Sequence, residues 1–285
     1  MTPKLHHQRR GYVLVLTLGL LTLAAISLAS LARFSLSLAS GAKDAAEDLQ
    51  KRWGLLSVQT VVEANAPYML DAQLSEKPSN QPVWPKPSRV SVSFKLGNLL
   101  FNVQITDEDA KANLNAIHSR QPELLGPVLH HLCDDSRGLH IRVRAEQGSS
   151  RPFTAWGQVF DLSPTSVGEG RLGNILCSTT EQITCWGSGR LNLRRAGDDA
   201  VKEIASMVLP TRSVSELIAL RRHWGGDSVQ SLLSQLGLRR PQIAAATRLF
   251  AIDSRSYSTW VEVRNGQRSW WYQFVDDHGP VCFAW

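Results

Sequence analysis

Between Gly11 and Ala32 the chain carries no charged residue, and this stretch follows directly on Arg9 and Arg10. As a helix, Tyr12–Leu31 spans about 30 Å, the thickness of a bilayer's hydrocarbon core. A secretory signal peptide has an apolar region of only about 7–15 residues before a small-x-small cleavage site. The stretch SLAS at 37–40 offers such a site. The length of the run and its basic flank fit an uncleaved anchor better, with the amino terminus left in the cytoplasm. Beyond it, residues 41–67 read as helix, with Glu47/Lys51 and Asp48/Arg52 spaced for ion pairs. Leu49, Trp53, Leu56 and Thr60 fall on one stripe. These features predict a helix of about 50 residues, half in lipid and half emerging, stopped by Pro67.

Charge adds little to this. The formal net charge is +6, but Lys4, Arg9 and Arg10 supply three of those charges before Gly11. The remaining arginines are scattered or interleaved with Asp and Glu, the pattern of a solvated surface, so no nucleic-acid partner is expected. Four cysteines stand at 133, 177, 185 and 282, with no C-x-x-C pair that would suggest a zinc ribbon. Cys177 and Cys185 bracket a polar loop and read as a disulfide in an exported domain, worth roughly 2–3 kcal/mol. Cys133 and Cys282 form a second pair or stay as buried thiols; the sequence leaves both open.

After a proline-rich linker at 75–89, Val90, Val92 and Phe94 alternate, the chain turns at Gly97-Asn98, and Phe101, Val103 and Ile105 continue the pattern. That is a β-hairpin signature. It leads into ITDEDAKANLN at 105–115, where carboxylates and amides ending a strand form a polar corner that caps the next helix. A cation site at Asp107, Glu108 and Asp109 is the lesser alternative, because the spacing lacks an EF-hand's D-x-D-x-D-G loop. Residues 112–132 read as helix, with His130 and His131 at its negative end. Strand-like stretches follow at 139–146 and 155–163. Two short helices are expected at 198–208 and 213–224, the second N-capped by Ser213 in a capping box with Glu216. A helix-hairpin-helix would need glycine in the turn, and LPTRS at 209–213 has none. The end of the chain predicts two strands about Asn265-Gly266, with Trp260, Trp270 and Trp271 packing the sheet on the long helix. Phosphate-loop, dinucleotide, nucleophile-elbow and H-E-x-x-H motifs do not occur in the sequence, so no enzymatic activity is expected.

A basic leader, Gly11, the aromatic Tyr12 and a long helix starting in lipid together resemble the type IV pilin-like precursors. That resemblance implies cleavage by a prepilin peptidase between Gly11 and Tyr12, with N-methylation of Tyr12. The family's usual glutamate at the fifth mature position is Leu16 here. The member that typically lacks it is the K-type minor pseudopilin of type II secretion systems, the general secretion pathway protein K family. The chain is similar to that family at a second place. Asp107, Glu108, Lys111, Asn113, Leu114 and Asn115 match its D-E-x-x-K-x-N-L-N element in order. Asn192 and Ala196 match part of its N-x-N-T-A element, with Arg194 and Arg195 in place of the second Asn and the Thr.

The resemblance implies an α+β chain: a leader at 1–11, a transmembrane and stalk helix at 12–66, and a pilin-like antiparallel sheet built from 67–111 and 246–285. A large, mainly α-helical domain at 112–245 is inserted into that sheet. It also implies a single-pass inner-membrane protein with a short cytoplasmic amino terminus and a periplasmic carboxy-terminal domain. Its place would be the tip of the pseudopilus, where it starts assembly and caps the fibre. The implied partners are the I- and J-type minor pseudopilins, the major pseudopilin, the prepilin peptidase, the inner-membrane assembly platform and membrane lipid. No cofactor is required, although some K-type members bind calcium. Two alternatives are a single-pass anchored periplasmic binding protein and a minor pilin of a related pilus or DNA-uptake fibre.

Overall fold

The structure, a computed structural model, describes residues 6–75, 85–133, 139–142, 151–163, 171–225, 228–276 and 280–284. Most of the linker expected at 75–89 and the second half of the strand expected at 139–146 therefore lie outside the described residues. The chain divides into two compact units, one ending at Arg52 and one beginning at Trp53.

The first unit is the leading part of α1 (His6–Ser57). Its large apolar side chains from Tyr12 to Leu38 are exposed. One helix among the described residues, Gly11–Ala72, is long and apolar enough to cross a membrane. Hydroxyls within it bond back to the helix's own carbonyls, Thr17 to Leu14 at 2.9 Å and Thr22 to Gly19 at 2.8 Å, and need no water. Lys51 donates to Asp48 at 2.8 Å, three residues away, where pairs four apart were expected.

In the second unit the helix passes through a π-helical turn at Val58–Glu63 and resumes as α2 (Ala64–Ser75). Pro67 lies inside α2 and does not stop it. A proline ring clashes with the carbonyl four residues back, and here that residue is Glu63, the last of the wider π turn. The face turned to the sheet is Gly54, Val58, Val62, Ala66 and Leu70, one residue in every four. On a plain α-helix such a row drifts about 40° per step. The π turn takes up that drift, so Val58 and Leu70 both reach the core. Trp53 and Leu56, from the stripe read in the sequence, are 56% and 51% exposed and lie on the other face.

The sheet they cover has five antiparallel strands in the order β1-β2-β9-β10-β11. The first hairpin is β1 (Arg89–Leu96) and β2 (Leu99–Asp107), turning at Gly97-Asn98 as expected. The chain returns through β9 (Tyr257–Asn265), β10 (Arg268–Asp276) and β11 (Pro280–Ala284), with β9 in the middle against β2. The second hairpin turns at Gly266-Gln267, one residue later than expected, with Gly266 at φ +58°. Alternation gives the sheet two buried faces. Leu99, Phe101, Val103, Val261, Val263 and Phe274 meet the helix. Trp260 and Val275, with Trp271 packed beside them, enter the larger core on the other side. Only Trp270 of the three tryptophans therefore packs on the helix side. Neighbours on a strand point to opposite faces, so Trp270 and Trp271 had to part.

A Cβ at Gly54 would overlap the Phe101 ring, which lies against the helix backbone there and stacks on Phe94 at 4.8 Å. Gly54→Val should lower stability by about 1–3 kcal/mol. Urea unfolding of the detergent-solubilised protein, followed by near-UV circular dichroism, measures it; an unchanged midpoint would contradict this packing.

The larger core is formed by the segment between β2 and β9. The helix expected over 112–132 is two, α3 (Leu114–Arg120) and α4 (Leu125–Leu132), separated by a 3-10 turn that starts at Pro122. Paired short strands tie the segment together: β3 (Ala112–Asn113) with β6 (Ile183–Thr184), β4 (His140–Ile141) with β5 (Phe160–Asp161), and β7 (Leu191–Asn192) with β8 (Phe250–Ala251). Further helices are α5 (Leu172–Thr179), α6 (Asp198–Ser206), α7 (Thr211–Arg221), α8 (Val229–Ser234) and α9 (Arg240–Thr247). The N-cap of α7 is Pro210, so Ser213 lies one turn inside, and Glu216 pairs with Arg212 at 3.0 Å. A proline at the boundary sets the helical entry without a side-chain cap.

Candidate functional site

Where β2 ends, Asp107, Glu108, Asp109 and Lys111 are all at least 95% buried. Four ionisable groups in so little space are tolerable only if each is matched. The side chain of Asp107 caps a 3-10 turn (Glu108–Ala110) by accepting from the Ala110 N–H at 3.2 Å. Its other oxygen accepts from Ser254 at 2.5 Å and faces the Arg195 guanidinium at 3.5 Å. Glu108 Oε1 accepts from Lys111 Nζ at 2.6 Å, Thr106 at 3.0 Å and Ser258 at 2.5 Å. Asp109 turns away, accepting from the Ser188 N–H at 2.7 Å, the Ser188 hydroxyl at 2.8 Å and the Arg255 N–H at 2.8 Å.

Two amides extend the corner. Asn113 caps α3 through the Ala116 N–H at 2.8 Å and donates to the Trp186 carbonyl at 2.5 Å. Asn115 accepts from the Phe153 N–H at 2.6 Å and donates to the carbonyls of Phe153 at 2.9 Å and Cys185 at 2.6 Å. Asn192 donates to Ser254 at 2.6 Å and accepts from the Arg194 N–H at 2.9 Å, joining the same network through Ser254. The corner residues singled out in the sequence thus meet in one place, and through Phe153, Trp186, Ser188, Ser254 and Ser258 they bond stretches of chain far from it.

The sequence reading missed Arg195, which had looked like a mismatch. It donates to the Pro87 carbonyl at 2.5 Å and Asp71 at 2.6 Å besides facing Asp107, so it joins α2, the approach to β1 and the corner. Ser254, Ser258 and Ser188 were missed as well. Serines far along the chain carry no local signal that they serve a strand end.

Burial pushes the Asp107 carboxyl up from its ordinary 3.8 to about 7; Ser254 and Arg195 pull the other way, and Asp109 and Glu108 reinforce the rise. The folded state therefore binds this proton more tightly than the unfolded chain. The stabilisation is full below pH about 4 and is lost as the pH rises toward 7. The urea midpoint should fall over that window, and Asp107→Asn should flatten that part of the profile. An identical slope in the variant would assign the dependence elsewhere.

The three carboxylates do not fit a calcium ion, which needs six to eight converging oxygens. All of their oxygens but Glu108 Oε2 are taken by protein donors, on different sides, and no group of three or more His, Cys, Asp or Glu among the described residues could hold a metal. Cys177 and Cys185 are buried thiols and not the expected bridge. Cys177 lies in the last turn of α5, whereas Cys185 follows β6, which pairing with β3 holds in place. Burial pushes both thiols up, Cys177 to about 12, so neither is poised to react. Cys133 is buried and Cys282 exposed, so they do not share one environment. Gly11, Tyr12 and Leu16 stand exposed on α1, in the first unit.

No protein-family model matches the sequence, and no curated protein sequence matches it. Among solved structures, the chain is similar to one in the GspK–GspI–GspJ complex of the type 2 secretion system from enterotoxigenic Escherichia coli. The identity is 12% and the TM-score 0.49, over 82% of this chain and 92% of that one.

Proposed function

We propose that the protein is a K-type minor pseudopilin, acting by assembly at the tip of a type II secretion pseudopilus. One conjunction carries this reading. A helix apolar enough to cross a membrane continues onto an antiparallel sheet, and the D-E-x-x-K-x-N-L-N residues gather at the end of β2, where the sheet gives way to the helical segment.

In this reading prepilin peptidase cuts between Gly11 and Tyr12, and Tyr12 becomes the methylated amino terminus in the inner membrane. A carboxylate held in lipid is costly unless a neighbour's ammonium meets it. A subunit with nothing above it has no such neighbour, and Leu16 avoids the unmatched charge. Gly19, Ala24, Ala25, Ser27 and Ser30 let stems of the I-type, J-type and major pseudopilins pack closely. A folded unit of this size is much wider than one helix of about 10–12 Å. It therefore blocks addition above itself while the fibre grows from the assembly platform below.

The test is the intact mass and first residue of the protein extracted from membranes, with and without prepilin peptidase. A start at N-methylated Tyr12 that depends on the peptidase supports the reading; co-isolation with I- and J-type subunits then separates a secretion pseudopilus from a related pilus. A start at Met1 makes it a plain anchored protein, and one near Gly41 a soluble exported one. Either overturns the proposal.

A further inference from the structure

Beside the buried corner lies a groove of about 570 Å³, between the 188–190 loop, the start of α8 and the stretch from Thr247 to Arg255. That volume is within the range of ligand-binding clefts. Asp109 builds both of its lips, gripping Ser188 with one oxygen and the Arg255 backbone with the other. Gly187 makes the first grip possible: it sits at φ +95°, and a Cβ there would crowd Asp109 Oδ1 at 2.8 Å.

The charge on this groove is unmatched. Arg190 is pinned by its Nε to the Phe250 carbonyl at 2.9 Å and by Nη2 to the Thr247 carbonyl at 3.2 Å. Arg255 lines the other side with its side chain exposed. Among the described residues no carboxylate pairs with Arg190 or Arg255; the one acid on the wall, Asp253, pairs with Arg194 at 3.7 Å. Like charges held together in a concave surface favour an external anion and steer it in.

We propose that this groove docks an extended acidic segment of a partner protein. Its carboxylates meet Arg190 and Arg255, and its aliphatic side chains lie on Val229 and Ile252. A peptide fits better than a nucleic acid for three reasons. No aromatic side chain lines the groove to stack on bases. The apolar wall has no counterpart on a phosphate backbone. Asp253 would repel a continuous row of phosphates but not carboxylates spaced to avoid it. The inference holds whatever the fate of residues 1–11.

The experiment is fluorescence anisotropy on the full-length protein in detergent micelles. The probe is a short labelled peptide of alternating glutamate and valine, compared with a lysine–valine peptide and a single-stranded oligonucleotide. The acidic peptide should bind, weaken steeply with added salt, and lose about tenfold in affinity in Arg190→Glu/Arg255→Glu. Should that variant fold poorly, Arg255→Ala removes only an exposed side chain, keeps the backbone N–H that Asp109 uses, and should cost about threefold. No binding of the acidic peptide, binding unaffected by these substitutions, or tighter binding of the oligonucleotide would each overturn the proposal.

Discussion

Glu108→Ala should be among the most damaging single changes to the second unit, at about 3–5 kcal/mol. The cost lies in what it leaves behind. Lys111 has a side chain only 6% exposed, and its ammonium would keep Thr106 at 3.2 Å but lose the carboxylate at 2.6 Å. A buried cation without its anion must either take in water or give up its proton. The pair itself is another matter, because its own desolvation cancels much of its attraction. Glu108→Leu/Lys111→Met should therefore recover most of the loss, with Thr106 and Ser258, already 2.8 Å apart, satisfying each other. Urea unfolding of both variants in the same detergent decides it. A double variant as unstable as the single one would mean that Glu108 matters through Thr106 and Ser258 and not through Lys111.

Asn115→Leu should follow at about 2–4 kcal/mol, since it strands a backbone N–H and two carbonyls together. The Phe153 N–H and carbonyl are both held by this one amide, and so is the Cys185 carbonyl. Asn115→Asp is the sharper probe. It keeps the acceptor for Phe153 and removes both donors, so it should lie between wild type and leucine. Protease sensitivity near Phe153, read by mass spectrometry, should rise in the same order. Equal cleavage in all three proteins would show that something other than Asn115 holds that segment.

The two substitutions touch the part of the molecule most legible in the sequence. The hairpin through Gly97-Asn98 could be read because strand alternation and turn chemistry are local. The corner could be read as polar and capping because Asp107 and Asn113 act within three residues of themselves. What the sequence hid is what acts at a distance. Arg195 looked like a departure from a motif until Asp71 and Pro87, more than a hundred residues earlier, came beside it. The spacing of Cys177 and Cys185 suggested a bridge, but the pairing of β6 with β3 sets where Cys185 sits. The buried face of the helix escaped notice because Gly54 and Ala66 are too small to register as apolar, while Trp53 and Leu56 beside them do. Pro67 was misread for a related reason, because a stop signal weakens when the turn before it is already wide.

That wide turn has a consequence for how the chain tolerates changes of length. Gly54, Val58, Val62, Ala66 and Leu70 are spaced one residue too generously for an α-helix over four turns, and the surplus is stored in Val58–Glu63. Losing one residue there would leave spacings of four, three, four and four, which an unbroken α-helix presents along one side. Losing one between Ala66 and Leu70 would swing Leu70 about 100° around the axis, away from Val90 and Ile105. The sheet counts turns and not residues, and the π turn holds the slack.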